Sequence, residues 1–437
     1  MLRCLAARAA CFTVLVSPFV AQAAVPPPAT SEPAAFTCPL PGADPSALVA
    51  PAPIREALVR AWRDHPAAAA VDAQLAAAQA RLAAAGQPLY NPEAEFSVED
   101  EGPDRTATGG LSLTFDWRNK RGARRDAAAA RLTQAEAKAR LTRRDFAQQW
   151  LAAWADLKTA REQVAIGERR LASVARFAEV ARKQFSAQDI SGLERDLAQL
   201  AMDEAQAEQS TLVAAQADAG ARFRALGGRP DQVVAASLPT DQLPVPPPAT
   251  RPVMQVPELQ LAEAAAVAAE REVAVAQRNR SADPTLGIRA GRIEMNGMSD
   301  TVAGFTVSIP LFVRNSYGAE VMAARADAAA IGAEAARIRL QLEADRQRVR
   351  DSYAAAQAAW SRWSSSRGTD VERRTSLLER LLREGELSPS DYLLQLRQTL
   401  DTQLAGADLE ARVWRTYTDY LATTGQLECW AGLEATP

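Results

Sequence analysis

Leu111-Ser112-Leu113-Thr114-Phe115-Asp116-Trp117-Arg118-Asn119, followed by Gly122, lies over Val307-Ser308-Ile309-Pro310-Leu311-Phe312-Val313-Arg314-Asn315, followed by Gly318. The period is near 196 residues, far longer than a solenoid repeat, and marks an internal duplication. Further on, Ile190-Ser191-Gly192 matches Leu387-Ser388-Pro389 with a one-residue slip. Each copy therefore reads helix, strand, loop, strand, very long helix, turn, helix.

The alternation around these stretches defines four strands. Ala94, Phe96 and Val98 alternate with Glu93, Glu95, Ser97 and Glu99, and Leu111, Leu113, Phe115 and Trp117 with Ser112, Thr114 and Asp116. The second copy repeats the pattern with Leu286, Ile288 and Ala290, then with Phe305, Val307, Ile309 and Leu311. One apolar and one polar face over about ten residues is what a transmembrane barrel strand needs. Two soluble hairpins packed on helices would show the same alternation. Four strands alone leave two open edges, however, and are too few to close. Several subunits contributing four each would close a barrel.

Proline divides the rest. None occurs between Asp104 and Arg229 or between Leu311 and Ser388, so these intervals are free to form very long helices. Expected helices are Ile54 to Gly86 (33 residues, kinked at Pro66), Asn119 to Ser186 (68) and Ser191 to Leu226 (36). The second copy offers Gln255 to Ala282 (28), Asn315 to Glu384 (70, weakened at Ser364 to Gly368) and Ser388 to Gln426 (39). In each copy two short helices together match the long one, roughly 100 Å at 1.5 Å per residue. A coiled-coil rod and a tube wall both fit. The organisation expected is a signal peptide (1–23), a Pro-rich arm (24–53), the first repeat (54–228), a Pro-rich linker (229–253), the second repeat (254–427) and a tail (428–437).

The leader rests on Arg3 and Arg8, the apolar run Cys11 to Val20, and the small-x-small signal Ala21-Gln22-Ala23. Across 437 residues the hydrophobic content of 48% and charged content of 24% suit a folded protein. The net charge is −3, which disfavours nucleic acid as a partner. One histidine, His65, reads as a surface or packing residue, and no metal cluster, phosphate loop or Gly-x-Ser-x-Gly occurs. No catalytic residue, cofactor or metal site is therefore expected. After leader removal only Cys38 and Cys429 remain, and an oxidising periplasm favours a disulfide between them over two unpaired thiols.

With these features the chain, from Ile54 to Gln426, resembles the TolC-type outer-membrane efflux proteins. The resemblance is carried by the duplication, Trp117-Arg118-Asn119-Lys120-Arg121-Gly122-Ala123-Arg124, Ser308-Ile309-Pro310-Leu311-Phe312-Val313-Arg314-Asn315, and the two tips. It implies a homotrimer with a 12-stranded β-barrel in the outer membrane, four strands per chain, continued by an α-helical tunnel into the periplasm. It also implies two partners, a periplasmic adaptor and an inner-membrane RND-type pump, with the barrel facing outer-membrane lipid. Ile309-Pro310-Leu311-Phe312 with Arg314-Asn315, and Asn91-Pro92-Glu93, look like the branch serving cobalt-zinc-cadmium exporters. A multidrug or type I secretion duct and a soluble periplasmic coiled coil are the alternatives. Unlike many multidrug relatives, the chain has no lipidation cysteine after the leader.

Site expectations follow. Glu93, Glu95, Glu99 and Asp116 share the polar face and would line an acidic lumen, although Glu99 also fits a solvated rim. The tips Gln188-Asp189-Ile190-Ser191-Gly192 and Gly385-Glu386-Leu387-Ser388-Pro389 place an apolar side chain, read as exposed, beside serine. In the family such positions meet the adaptor, which singles out Asp189, Ile190, Ser191, Glu386, Leu387 and Ser388. Arg383, Glu384 and Asp391 are candidates for a gate held by charge pairs between subunits.

Overall fold

The computed structural model describes residues 49–102, 104–233, 256–295, 298–367 and 370–433. They belong to one compact unit, Leu40–Pro437. The first copy comprises α1 (Ala52–Asp64), α2 (Pro66–Ala85), β1 (Glu93–Glu101), β2 (Asp104–Thr114), α3 (Lys120–Ser186) and α4 (Gly192–Ala225). A short α5 (Pro230–Val233) precedes the second copy: α6 (Pro257–Asn279), β3 (Thr285–Met295), β4 (Met298–Ser308), α7 (Gly318–Arg367), α8 (Asp370–Arg383) and α9 (Pro389–Thr423). A last helix, α10 (Leu427–Ala431), stands where a tail was expected. The expected signal peptide, most of the expected Pro-rich arm, residues 234–253 of the linker and the first two residues of the second repeat lie outside the described residues.

Local chemistry sets the helix ends. The expected kink is a clean break: Pro66 occupies the first turn of α2, which forces His65 into an extended conformation. His65 then caps α2, accepting from Ala67 N through Nδ1 at 3.1 Å, while Nε2 lies 3.3 Å from Ala225 O and the ring packs on Phe146. Asn119 starts α3 from the left-handed region (φ 55°), and its Oδ1 accepts from Gly122 N at 3.1 Å. A Cβ on Gly122 would come within 2.4 Å of the Asn119 amide, so the Asn-x-x-Gly spacing is a steric requirement. In the second copy the left-handed residue is Tyr317 (φ 54°), and α7 begins at Gly318, three residues later than expected. The weak point Ser364 to Gly368 stays helical through Arg367, and helix resumes at Asp370.

α3, at 67 residues roughly 100 Å long, is the spine. α1, α2 and α4 flank it from the first copy, and α6 and α9 from the second. Alanines such as Ala127, Ala137, Ala147 and Ala198 are buried along these seams and let the helices approach closely. At position 406 the fit is tighter: a Cβ on Gly406 of α9 would fall 2.1 Å from the Trp363 ring.

The main core sits near the middle of α3, where Trp62, Trp150, Trp154, Phe223, Tyr353, Trp414, Tyr417 and Trp430 gather. Burying each such ring contributes about 2–3 kcal/mol before entropy is counted. α1 and α10 meet here, tied by Ala50 N donating to Trp430 O at 2.8 Å. Ion pairs then join the two copies along the rod: Arg144–Glu258, Lys158–Glu410, Arg415–Asp156 at 2.5 Å and Arg397–Glu204 at 3.1 Å. The last two are largely exposed and fix register more than stability.

Candidate functional site

The strands form one antiparallel sheet in the order β1-β2-β3-β4. The two hairpins join into this one sheet because β2 and β3 pair along their length, from Arg105↔Glu294 to Thr114↔Thr285. β1 and β4 remain as free edges. The register aligns Ala94, Leu111, Ile288 and Phe305 in one row and Phe96, Gly109, Ala290 and Ala303 in the next. This apolar face is the open one: Phe96 is 84% exposed, Phe305 81% and Ile288 68%. On the opposite face Thr285, Gly287, Gly291, Val302 and Gly304 are half-buried. A sheet folded for water has the reverse polarity.

Two expectations about the strand ends are corrected. β4 stops at Ser308, so Ile309 and Leu311 lie beyond it, since Pro310 has no N–H to continue a ladder. β2 stops at Thr114, with one further ladder bond from Phe115 N to Pro284 O at 2.9 Å, so Trp117 and Asp116 also leave the strand. The Asp116 carboxylate instead accepts from Lys120 N at 2.6 Å and Arg121 N at 2.8 Å. A negative charge over the free N–H groups and positive dipole end of α3 is stabilising there. Glu93, Glu95 and Glu99 do lie in a row along β1, all exposed, opposite Phe96 and Val98.

Below the strands the apolar face continues into Phe115, Trp117 and Ile309, which share a cleft with Leu286 and Pro284. Immediately beyond come Arg118, Arg121, Arg124, Arg125 and Arg314, all exposed. Aromatic side chains followed by cations are the pattern of a membrane interface. A polar cluster around the buried Asp283 fixes the junction between sheet and helices. Asp283 accepts from the Tyr90 hydroxyl at 2.8 Å and pairs with Lys120 Nζ at 2.9 Å. Burial and the Asp283 hydrogen bond push the Tyr90 phenol up to about 12, so it stays a donor.

The two tips are built alike. After α3, Gln188 turns left-handed (φ 67°) and Asp189 N donates to Gln184 O at 2.9 Å; after α8, Gly385 (φ 74°) and the Glu386 N to Leu381 O bond at 3.0 Å repeat this closure. Ser191 and Ser388 are then the N-caps of α4 and α9, accepting from Glu194 N at 3.3 Å and Asp391 N at 3.1 Å. Hydrogen bonds from Ser191 hold the Glu194 carboxyl below its usual range.

Ile190 and Leu387, expected as exposed, are half-buried against a cluster containing Phe177, Tyr392 and Leu396, because the turn folds each back onto its own helix pair. Asp189, Ser191, Glu386 and Ser388 are exposed. Large exposed apolar side chains here include Leu193 (70%), Leu200 and Leu394, which the turn-based reading missed. Of the gate candidates, Asp391 is bonded within the Ser388 cap, Arg383 Nε donates to Glu379 O at 3.2 Å, and Glu384 is exposed. Charge pairs that bridge the copies toward the tips are Arg176–Glu379 at 2.7 Å and Arg397–Glu204 at 3.1 Å, which sequence spacing did not disclose. Cys429 lies in α10 and is disulfide-bonded; Cys38, its expected partner, lies outside the described residues.

A sheet that leaves its apolar side open is thus continued by a helical body whose longest member, α3, runs roughly 100 Å. Among the described residues no helix is long and apolar enough to cross a membrane. The fold is shared with the outer membrane protein VceC from Vibrio cholerae, at a TM-score of 0.67 and 18% identity over 85% of this chain and 96% of that one. The Campylobacter jejuni CmeC outer membrane channel gives 0.67 and 13% over 86% of each chain. A membrane protein from Pseudomonas aeruginosa gives 0.71 and 16% over 88% of this chain and 95% of that one. The sequence matches no protein-family model and no curated protein.

Proposed function

We propose that three copies of this chain form an outer-membrane exit duct for a tripartite efflux system. Substrate enters from an inner-membrane RND-type pump and a periplasmic adaptor that meets the helical tips, and it leaves through a 12-stranded barrel. The observation that carries this reading is the outward apolar face of a sheet with two free edges. Lipid satisfies the face, and closing three sheets into a ring satisfies the edges. The duct is passive: it supplies a path, and the side chains it exposes filter by charge rather than react. Arg118, Arg121, Arg124, Arg125 and Arg314 then sit at the periplasmic lipid headgroups.

The transported class we favour is heavy-metal cations. The row Glu93, Glu95 and Glu99 supports it, since threefold symmetry turns each carboxylate into a ring that favours cations. The deciding experiment is deletion and complementation in the native host, followed by metal and drug accumulation and by membrane extraction. Rising intracellular cobalt, zinc or cadmium, restored by the wild-type chain, is the expected result. Drug accumulation alone would move the assignment to a multidrug duct. Release of a monomer into buffer by osmotic shock would overturn the duct altogether.

A further inference from the structure

Arg289 stands on the polar face of β3, in the row Glu95, Gly110, Arg289, Gly304. It has a glycine on each side, and its side chain uses only one of them. A Cβ built on Gly304 would lie 3.3 Å from Arg289 Nε and 3.6 Å from Cγ, whereas one on Gly110 would meet only Cβ and the backbone. The arginine thus lies flat across β4, pointing at the free edge. Gly304 is half-buried beneath it while Ala303 and Phe305 are exposed. Among the described residues no carboxylate lies within ion-pairing distance of Arg289.

What closes the ring next to β4 in the proposed trimer is β1 of another copy, and its same face carries Glu93, Glu95, Glu99 and, at its far end, Glu101. β4 itself presents Val302, Gly304, Thr306 and Ser308 there, with Asp300 its one charge, so it cannot answer those carboxylates. Neighbouring strands are about 4.8 Å apart, so β3 and the incoming β1 are separated by about 10 Å. An extended arginine and an extended glutamate close that gap between them. A glycine at 304 is what leaves the path flat.

We infer that Arg289 reaches over Gly304 to pair with Glu95 and Glu99 of the partner subunit, tying adjacent protomers on the lumen side and offsetting part of the acidic ring. This rests on the proposed trimer, so the first measurement is the native mass of the full-length protein in detergent. A monomeric wild-type protein would sink the trimer and this inference together. With a trimer in hand, its thermal dissociation is followed for wild type, Arg289→Gln, Glu95→Gln with Glu99→Gln, and all three changes combined. Each of the first two variants should dissociate at least tenfold faster than wild type, and the combination no faster than the worse of them, because they remove one interaction. Arg289→Lys, which keeps the charge, should recover part of the loss and shows that the site tolerates substitution. In planar bilayers Arg289→Gln should raise cation over anion preference at least twofold. A trimer that dissociates at the wild-type rate with Arg289→Gln, or rates that multiply in the combined variant, would overturn the pairing while leaving the duct untouched.

Discussion

Replacing Ile288 with arginine separates a lipid-facing sheet from a solvated one. Ile288 is on an inner strand, between Leu111 and Phe305 in its row, and 68% of it is exposed. In water so open a position tolerates substitution within about 0.5 kcal/mol. In a bilayer the outcome depends on depth. The apolar face runs from Phe115 to Ala107, which at 3.3 Å per residue is roughly 26 Å along the strand and close to 20 Å along the membrane normal at a tilt near 40°. Ile288 pairs with Leu111, halfway along this band. An arginine there should cost about 2–4 kcal/mol per chain, and three chains multiply the effect. Urea unfolding of the protein reconstituted in lipid vesicles, followed by tryptophan fluorescence, reads the difference. Ile288→Lys serves as a second charge, and Thr306→Lys on the opposite face should cost under about 1 kcal/mol. Equal, small changes at both faces would refute the outward orientation on which the duct rests.

Glu95→Gln together with Glu99→Gln should reduce cation selectivity in single-channel recordings, and unchanged selectivity would remove these residues from the lumen. At the tips, Leu193→Asp alters a side chain that is 70% exposed, so it should leave unfolding within about 0.5 kcal/mol yet abolish export; wild-type export would show that this helix end docks nothing. Ile190→Asp should instead destabilise the tip by about 1–3 kcal/mol, visible as faster amide exchange in α4, since it charges a half-buried contact. Non-reduced digestion and mass spectrometry should give Cys38 and Cys429 in one linked peptide, and recovery of both as alkylated thiols would rule out the bond.

The elements that periodicity and proline control were legible in the sequence. Helix α3 begins one residue past Asn119 and ends at Ser186, because the Asn-x-x-Gly start and the left-handed turn at Gln188 are local. The pairing of β2 with β3 was not legible, since it joins residues far apart in sequence and alternation does not name a partner. Asp116 was misplaced for a related reason: it keeps the strand's alternation, but the N–H groups of α3 compete for it and win. Ile190 and Leu387 looked exposed because a turn usually is, and only the folded chain shows that both pack against the cluster that holds Phe177 and Tyr392. The serines at the tips, read as partner-facing, are exposed and also serve as helix N-caps, a role that the spacing to Glu194 and Asp391 encodes.

The outward apolar face also governs how the chain has to be handled before it reaches its destination. The helical hairpins α3–α4 and α8–α9 can form early, since their turns close over short sequence distances, but the sheet and the docking of the two copies wait for contacts far apart in sequence. Once β2 finds β3, Phe96, Ile288 and Phe305 are displayed to water beside two unpaired edges. Such a species is an aggregation hazard on two counts, its greasy surface and its open ladders. A folded, solitary subunit is therefore the state the pathway must avoid. In the proposed trimer, strand pairing, membrane entry and union with two sister chains would have to occur together for this sequence to escape it.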